Sequence, residues 1–203
     1  PNKLEDQLNF LINHNLDVVL SDYEVYDNKL QKLIRKESFE DFKNEPFYTA
    51  VSRVISTNNP LYKKKYLIQV NGHNESLNAC QDWELNLKVV LSGANLGYLQ
   101  GVYGKNRQRK GSLSSDWIKV SKISCELIKT MKNELFNHSE ANDEVKKYFA
   151  RHYYNTAVHN KSVSISEYLK EINFWFSKKG FIKSQLKKYF AHIFGLRFLI
   201  LIE

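Results

Sequence analysis

"NACQDWELNLKVVLSG", residues 78–93, sets Gln81, Asp82 and Glu84 around a tryptophan and then runs on at helical apolar spacing to Gly93. Acids in a first turn satisfy free N–H groups and complement the helix dipole, so the residues taken alone favour capping. Their surroundings shift that balance. The polar loop "VNGHNESLNAC" runs into the helix and has the composition of a cleft wall. Downstream, "RQRKGSLS" gathers Arg107, Arg109 and Lys110 beside Gly111 and Ser112, a set suited to clamping a diphosphate. A carboxylate and an arginine-rich loop in one α/β segment suit group transfer from a phosphate-activated donor.

The chain around this helix reads as mixed α/β. "PNKLEDQLNFLINHN" predicts a first helix with Leu4, Leu8, Leu11 and Ile12 on one face. "LDVVLSDYEVYD" is β-branched and aromatic, fit for a buried strand, and "NKLQKLIRK" predicts its hairpin partner across a turn at Asp27, Asn28 and Lys29. Asp22 and Glu24 read as a solvated strand face, and Lys63, Lys64 and Lys65 as a solvated basic run. Pro46 opens a short helix in "EPFYTAVSRVIS". "LYKKKYLIQVNGHNESL" predicts a brief strand and a short helix closed by a left-handed Gly72. Two strands, "ANLGYL" and "GVYGKNR", then lead into the polar turn.

From Trp117 the strand-like runs disappear. Amphipathic stretches succeed one another at 115–136, 141–160, 164–179 and 183–201, with Ser114, Ser115 or Asp116 as the first N-cap. The expected division is therefore residues 1–113, α/β, and 114–203, helical. In "FARHYYNTAVHN", Phe149, Tyr153 and Val158 read as a core stripe. The last stretch, "KKYFAHIFGLRFLILIE", is apolar but broken by Arg197 and too short to span a bilayer, so residues 181–203 pack or touch a membrane surface.

Composition bounds the rest. At 42% hydrophobic the 203 residues can bury a core, and with 3 prolines and 8 glycines they are not a linker. Cys80 and Cys125 make no disulfide framework, which suits a reducing compartment, and the six histidines show no metal spacing. The net charge of +8 favours anionic partners. With no initiator Met and an opening inside a helix, the sequence reads as a piece of a longer protein.

Taken in order, "PNKLEDQLNFL", "DVVLSDYEVYD", "NPLYKKKYLIQVNGHNESLNACQDWELNLKVVLSG" and "GVYGKNRQRKGSLS" resemble family 2 glycosyltransferases of the GT-A fold. The resemblance implies a partial GT-A mixed sheet followed by an all-helical region. It implies inverting transfer of a sugar from a nucleotide-sugar donor to a glycan or lipid-linked acceptor. Asp82 is then the base that takes the acceptor hydroxyl's proton, and Arg107, Arg109, Lys110 and Ser112 hold the donor diphosphate. Gly72, His73, Gln81 and Trp83 stand on the acceptor side, Trp83 either flanking the sugar or, preferably, packing; Glu84 caps the helix.

The chain departs from the family in two ways. The family's nucleotide-binding half, with the DxD aspartates that hold a divalent cation (Mg or Mn), would precede residue 1. Where many members have a histidine ligand stands Arg109, and a guanidinium cannot bind a cation, so no metal ligand is expected in this chain. The expected setting is cytoplasmic, peripheral at the inner face of the membrane, with no nucleic acid partner. The competing reading is a non-catalytic basic helical module that binds anionic partners or a membrane surface.

Overall fold

Strand β1 (Val18–Tyr26) forms where Val18, Val19, Leu20 and Val25 meet a pleated, buried surface. Burial is continuous from Val18 to Asp22 rather than alternating, as in a strand covered on both faces. The computed structural model describes residues 2–109, 111–112, 116–159, 166–167 and 170, and within them β1 is the centre of a four-stranded mixed sheet. Strand β2 (Leu33–Glu37) pairs antiparallel with Tyr23–Tyr26, and β3 (Leu61–Tyr62) antiparallel with Val18 and Val19. Strand β4 (Leu96–Arg107) runs parallel to β1 from Val18 to Tyr26.

The two strands expected at 94–107 are one. Ser21 pairs with Leu99 but Asp22 with Val102, so Gln100 and Gly101 bulge out of the ladder. Gly101 has φ +136°, and a Cβ there would stand 2.9 Å from the Tyr103 ring. A glycine flanked by apolar runs looks like a break in sequence and is a bulge in the fold. The hairpin turn is also longer than expected: the Asp27 N–H donates to the Lys32 carbonyl at 2.9 Å, and the Asp27 carboxylate accepts from Gln31 N–H at 2.8 Å.

Helix α1 (Lys3–Asn13) packs on β1, β3 and β4, but not by the face its leucines suggest. Leu11 joins Leu16 and Val19 in a small core, and the residue one turn before it, Gln7, is fully buried. Leu4 and Ile12 are 68% and 63% exposed. A polar side chain took the inner face because its amide has partners there: Gln7 Nε2 donates to the Asn59 carbonyl at 3.0 Å.

Helices α2 (Pro46–Ser52) and α4 (Gln81–Leu91) pack together, and α2 also meets a 3₁₀ turn at Glu40–Lys43 that touches β4. Helix α3 (Lys64–Gln69) ends in a Schellman motif, with Asn71 N–H to the Ile68 carbonyl and Gly72 N–H to the Leu67 carbonyl. The first left-handed residue is therefore Asn71, φ +58°, one before the expected glycine.

Two aspartates are buried where a solvated face was expected or nothing was. Asp22, 2% exposed, accepts from Tyr98 OH at 2.7 Å and Phe39 N–H at 3.1 Å and pairs with Lys36. Burial alone would raise its carboxyl, but these bonds outweigh burial and hold it below the ordinary value. Asp17 is anchored likewise by Asn95 N–H, Lys63 and Tyr66 OH, so Lys63 is a structural partner rather than a loose surface cation.

The chain divides into two units, Pro1–Ser115 and Asp116–Glu203. In the second, Asp116 caps α5 (Trp117–Asn137) by accepting from Lys119 N–H, and α5 packs on α6 (Asp143–His159). Phe149 and Tyr153 are fully buried, as their stripe predicts. Polar pairs tie the two helices: Ser124 Oγ lies 2.7 Å from His152 Nε2 and Cys125 Sγ 3.0 Å from Thr156 Oγ1. No helix among the described residues is long and apolar enough to cross a membrane. The helices expected at 164–179 and 183–201, and the tail contact of residues 181–203, lie outside the described residues.

Burial pushes the His152 imidazole down to about 4. In the unfolded chain it titrates near ~6.5, so between those values the unfolded state binds more protons and acid destabilises the fold. The buried aspartates withdraw their contribution only below the ordinary carboxylate range. Melting temperature should therefore fall between pH 6.5 and 4.5. The variant His152→Gln, which keeps a partner for Ser124, should flatten that slope; an unchanged slope would remove His152 as its source.

Candidate active site

Helix α4 begins without a side-chain cap: Cys80, its N-cap, sits at φ +62° and offers none. The polar residues at its head point elsewhere. Gln81 Nε2 reaches back to the Leu77 carbonyl at 2.6 Å. Glu84 is buried, pairs with Lys88 at 3.2 Å, and so does not cap the helix as expected. Asp82 turns its carboxylate across to the loop after α2. Its Oδ1 accepts from the Thr57 hydroxyl and its Oδ2 from the Thr57 N–H at 3.3 Å. Asp82 and Glu84 still oppose the helix dipole favourably, but neither is there to close the helix.

The same helix is fastened behind Asp82. Asn86 Nδ2 donates to the Ile55 carbonyl at 3.0 Å and to the Asp82 carbonyl at 2.7 Å, while Tyr62 OH donates to Asn86 Oδ1. Burial, and then the charge of Asp82, push the Tyr62 hydroxyl far up, which favours the protonated form that donates to Asn86.

Asp82 lines an open cleft of about 650 Å³. Tyr23, Val25, Arg35 and Glu37 of the β1–β2 hairpin form one wall, and Arg53, Val54 and Ser56 another. The end of β4 closes it with Asn106, Arg107, Gln108 and Arg109, followed by Ser112. Four arginines thus face two carboxylates. The arginines are not equivalent. Arg53 is committed to the Ser38 carbonyl at 2.6 Å, to Glu37 at 3.2 Å and to the Phe39 ring; Arg35 is committed to Glu37 and Gln108. The side chains of Arg107 and Arg109 line the cleft, and among the described residues neither makes a hydrogen bond or ion pair.

Of the residues singled out in the sequence, Asp82, Arg107, Arg109 and Ser112 line this one cleft. Lys110 lies outside the described residues. Trp83 takes the packing alternative preferred from sequence, not the acceptor side: it is 3% exposed, with its indole N–H donating to the Val51 carbonyl at 3.1 Å. Gly72, His73 and Gln81 are not among the cleft's walls; the Gly72 carbonyl accepts from Lys88 at 3.0 Å. Sequence reading missed Thr57, Arg35, Arg53 and Tyr23. Thr57 sits in "STNNP", which reads only as a helix stop, and its partner is 25 residues away.

Among the described residues no three His, Cys, Asp or Glu side chains gather where they could hold a metal ion. Of the two carboxylates in the cleft, Glu37 is taken by Arg35 and Arg53.

No protein-family model and no curated protein matches the chain. Among solved structures it is similar to S. aureus TarS 1-349, determined in complex with UDP-GlcNAc, at a TM-score of 0.55 and 14% identity. The match covers 86% of this chain and 52% of that one, so the chain spans about half the length of the structure it matches. The likeness is one of fold. The four-stranded mixed sheet with its helices is consistent with part of the fold of that structure, and the likeness does not single out family 2.

Replacing Trp83 with Phe removes the donor to the Val51 carbonyl and leaves a small void. The expected loss is about 1–3 kcal/mol in urea unfolding, with no change in any ligand's affinity. Full stability with altered ligand binding would return Trp83 to the cleft.

Proposed function

We propose that the chain is the acceptor-side part of a glycosyltransferase, that it transfers a sugar from a nucleotide-sugar donor with inversion, and that Asp82 is the general base. The observation that carries this reading is a carboxylate turned away from its own helix end and held on the wall of a cleft that Arg107 and Arg109 also line. A purely anion-binding module gains nothing from that carboxylate. A transferase needs it, because a sugar hydroxyl is a poor nucleophile until a positioned base accepts its proton.

In the proposed step the acceptor oxygen attacks the anomeric carbon from the face opposite the leaving group. Its proton passes to Asp82 as the new C–O bond forms. The old C–O bond breaks towards the diphosphate, which leaves with the electron pair. Arg107 and Arg109 balance the charge that develops there, as fixed guanidinium donors do for phosphoryl oxygens. The TarS structure holds UDP-GlcNAc, which supports a nucleotide sugar as donor class. The acceptor proposed is a glycan or a lipid-linked glycan, met on the cytoplasmic side. The remaining donor contacts, and the ligands of any divalent cation, are assigned to sequence outside these residues, and no step here runs through a cation.

Two substitutions in the full-length transferase test the proposal. Asp82→Asn can still accept from Thr57 but cannot take a proton, so turnover should fall about 10²–10⁴-fold with donor affinity and melting temperature unchanged. Normal turnover would retire Asp82 as base. Replacing Arg107 and Arg109 together with Ala removes two charge-assisted contacts, which should weaken donor binding at least about tenfold. An unchanged donor Michaelis constant would return both arginines to the solvated surface.

A further inference from the structure

We infer that Thr57 is a positioning residue: it sets the direction in which the Asp82 carboxylate faces the acceptor hydroxyl. The inference rests on the reading of Asp82 as the base. Thr57 bonds both carboxylate oxygens, its hydroxyl to Oδ1 and its N–H to Oδ2 at 3.3 Å. An Asp side chain held at one oxygen can still turn about its terminal torsion, which is broad. Held at both, it presents a fixed pair of lone pairs to the cleft.

The grip is useful only if Thr57 is itself immobile, and its neighbours make it so. Asn58 Nδ2 donates to Asn106 Oδ1 at 2.6 Å, tying the loop to β4. Asn59 Oδ1 accepts from Ser21 N–H at 3.1 Å and Asn59 Nδ2 donates to the Ser21 carbonyl, tying it to β1. The Asn59 N–H donates to the Ser56 carbonyl at 2.8 Å and closes the turn around Thr57. On the other side Asn86 holds the Asp82 backbone to the Ile55 carbonyl. Base and clamp are therefore mounted on the same rigid frame. The hydroxyl matters for its hydrogen, not its bulk: valine has the same shape and the same stiff χ1 but cannot donate.

The experiment is steady-state kinetics of the full-length transferase carrying Thr57→Val, Thr57→Ser, Asp82→Asn, or Thr57→Val with Asp82→Asn. Misaimed bases lose rate rather than affinity, so Thr57→Val should lower kcat about ten- to a hundredfold with donor and acceptor KM and melting temperature unchanged. Thr57→Ser, which restores the donor, should recover most of kcat. With Asp82 already Asn, Thr57→Val should cost nothing further, because it acts through that carboxylate. Wild-type kcat in Thr57→Val would overturn the inference while leaving Asp82 as base. So would an equal loss from Thr57→Val in both backgrounds, or no recovery in Thr57→Ser. Wild-type kcat in Asp82→Asn would overturn both readings.

Discussion

The fold depends on one substitution of a side chain for a strand. Along one edge β1 pairs first with β3, at Val18 and Val19, and then with β2, from Tyr23 onwards. Between them the N–H and C=O of Ser21, which is buried, have no strand opposite. The Asn59 amide supplies both partners, accepting from the N–H and donating to the carbonyl. Each group left orphaned in such a place would cost about 1–3 kcal/mol. The amide therefore joins two short pairings into one continuous edge. Because Asn59 belongs to the loop that carries Thr57, the same pair of bonds fixes the part of the molecule that holds Asp82. Gln7, buried under α1, bonds the Asn59 carbonyl and locks the arrangement from the other side.

Charge is divided between two tasks. Asp17 and Asp22 lie buried on β1 or at its start, where burial would neutralise them were it not for the donors around each. They act as rivets, engaging Lys36, Lys63, Tyr66 and Tyr98 in the frame. Arg53 and Arg35 are engaged likewise by Glu37, which ties the loop after α2 to the hairpin. Arg107 and Arg109 on the cleft wall have no such side-chain partner among the described residues.

Local pattern made much of this legible. The β-branched run at 18–20, the proline at 46, the apolar period after Trp83 and the polar break before α5 all gave elements where they were expected. Asp82, Arg107, Arg109 and Ser112, singled out together in the sequence, line one cleft. Three departures share one cause. Leu4, Leu8 and Ile12 outvote Gln7 in any periodicity, yet Gln7 goes inside because its partners lie 52 and 12 residues away. Asp22 looks solvated until Tyr98 arrives from β4. Thr57 looks like punctuation until α4 brings Asp82 to it. These polar residues are placed by partners distant in sequence, and period and propensity carry no record of those partners.

Cys80 shows how the helix head comes to face the cleft. A non-glycine residue at φ +62° is strained by roughly 1–2 kcal/mol, and burial pushes its thiol up. An N-cap in the usual extended conformation would carry a side-chain oxygen over the first turn. Left-handed Cys80 instead ends the polar loop abruptly, with Ala79 buried, and starts α4 with no side-chain cap. The first-turn carboxylate at 82 is then met by Thr57 rather than by its own helix. The burial of Trp83, Leu85, Leu87 and Val89 along α4 offsets the strain, since a fully buried side chain of this kind contributes about 1.5–3 kcal/mol. The core thus holds a backbone turn that local propensity opposes, and that turn leaves one carboxylate for the cleft.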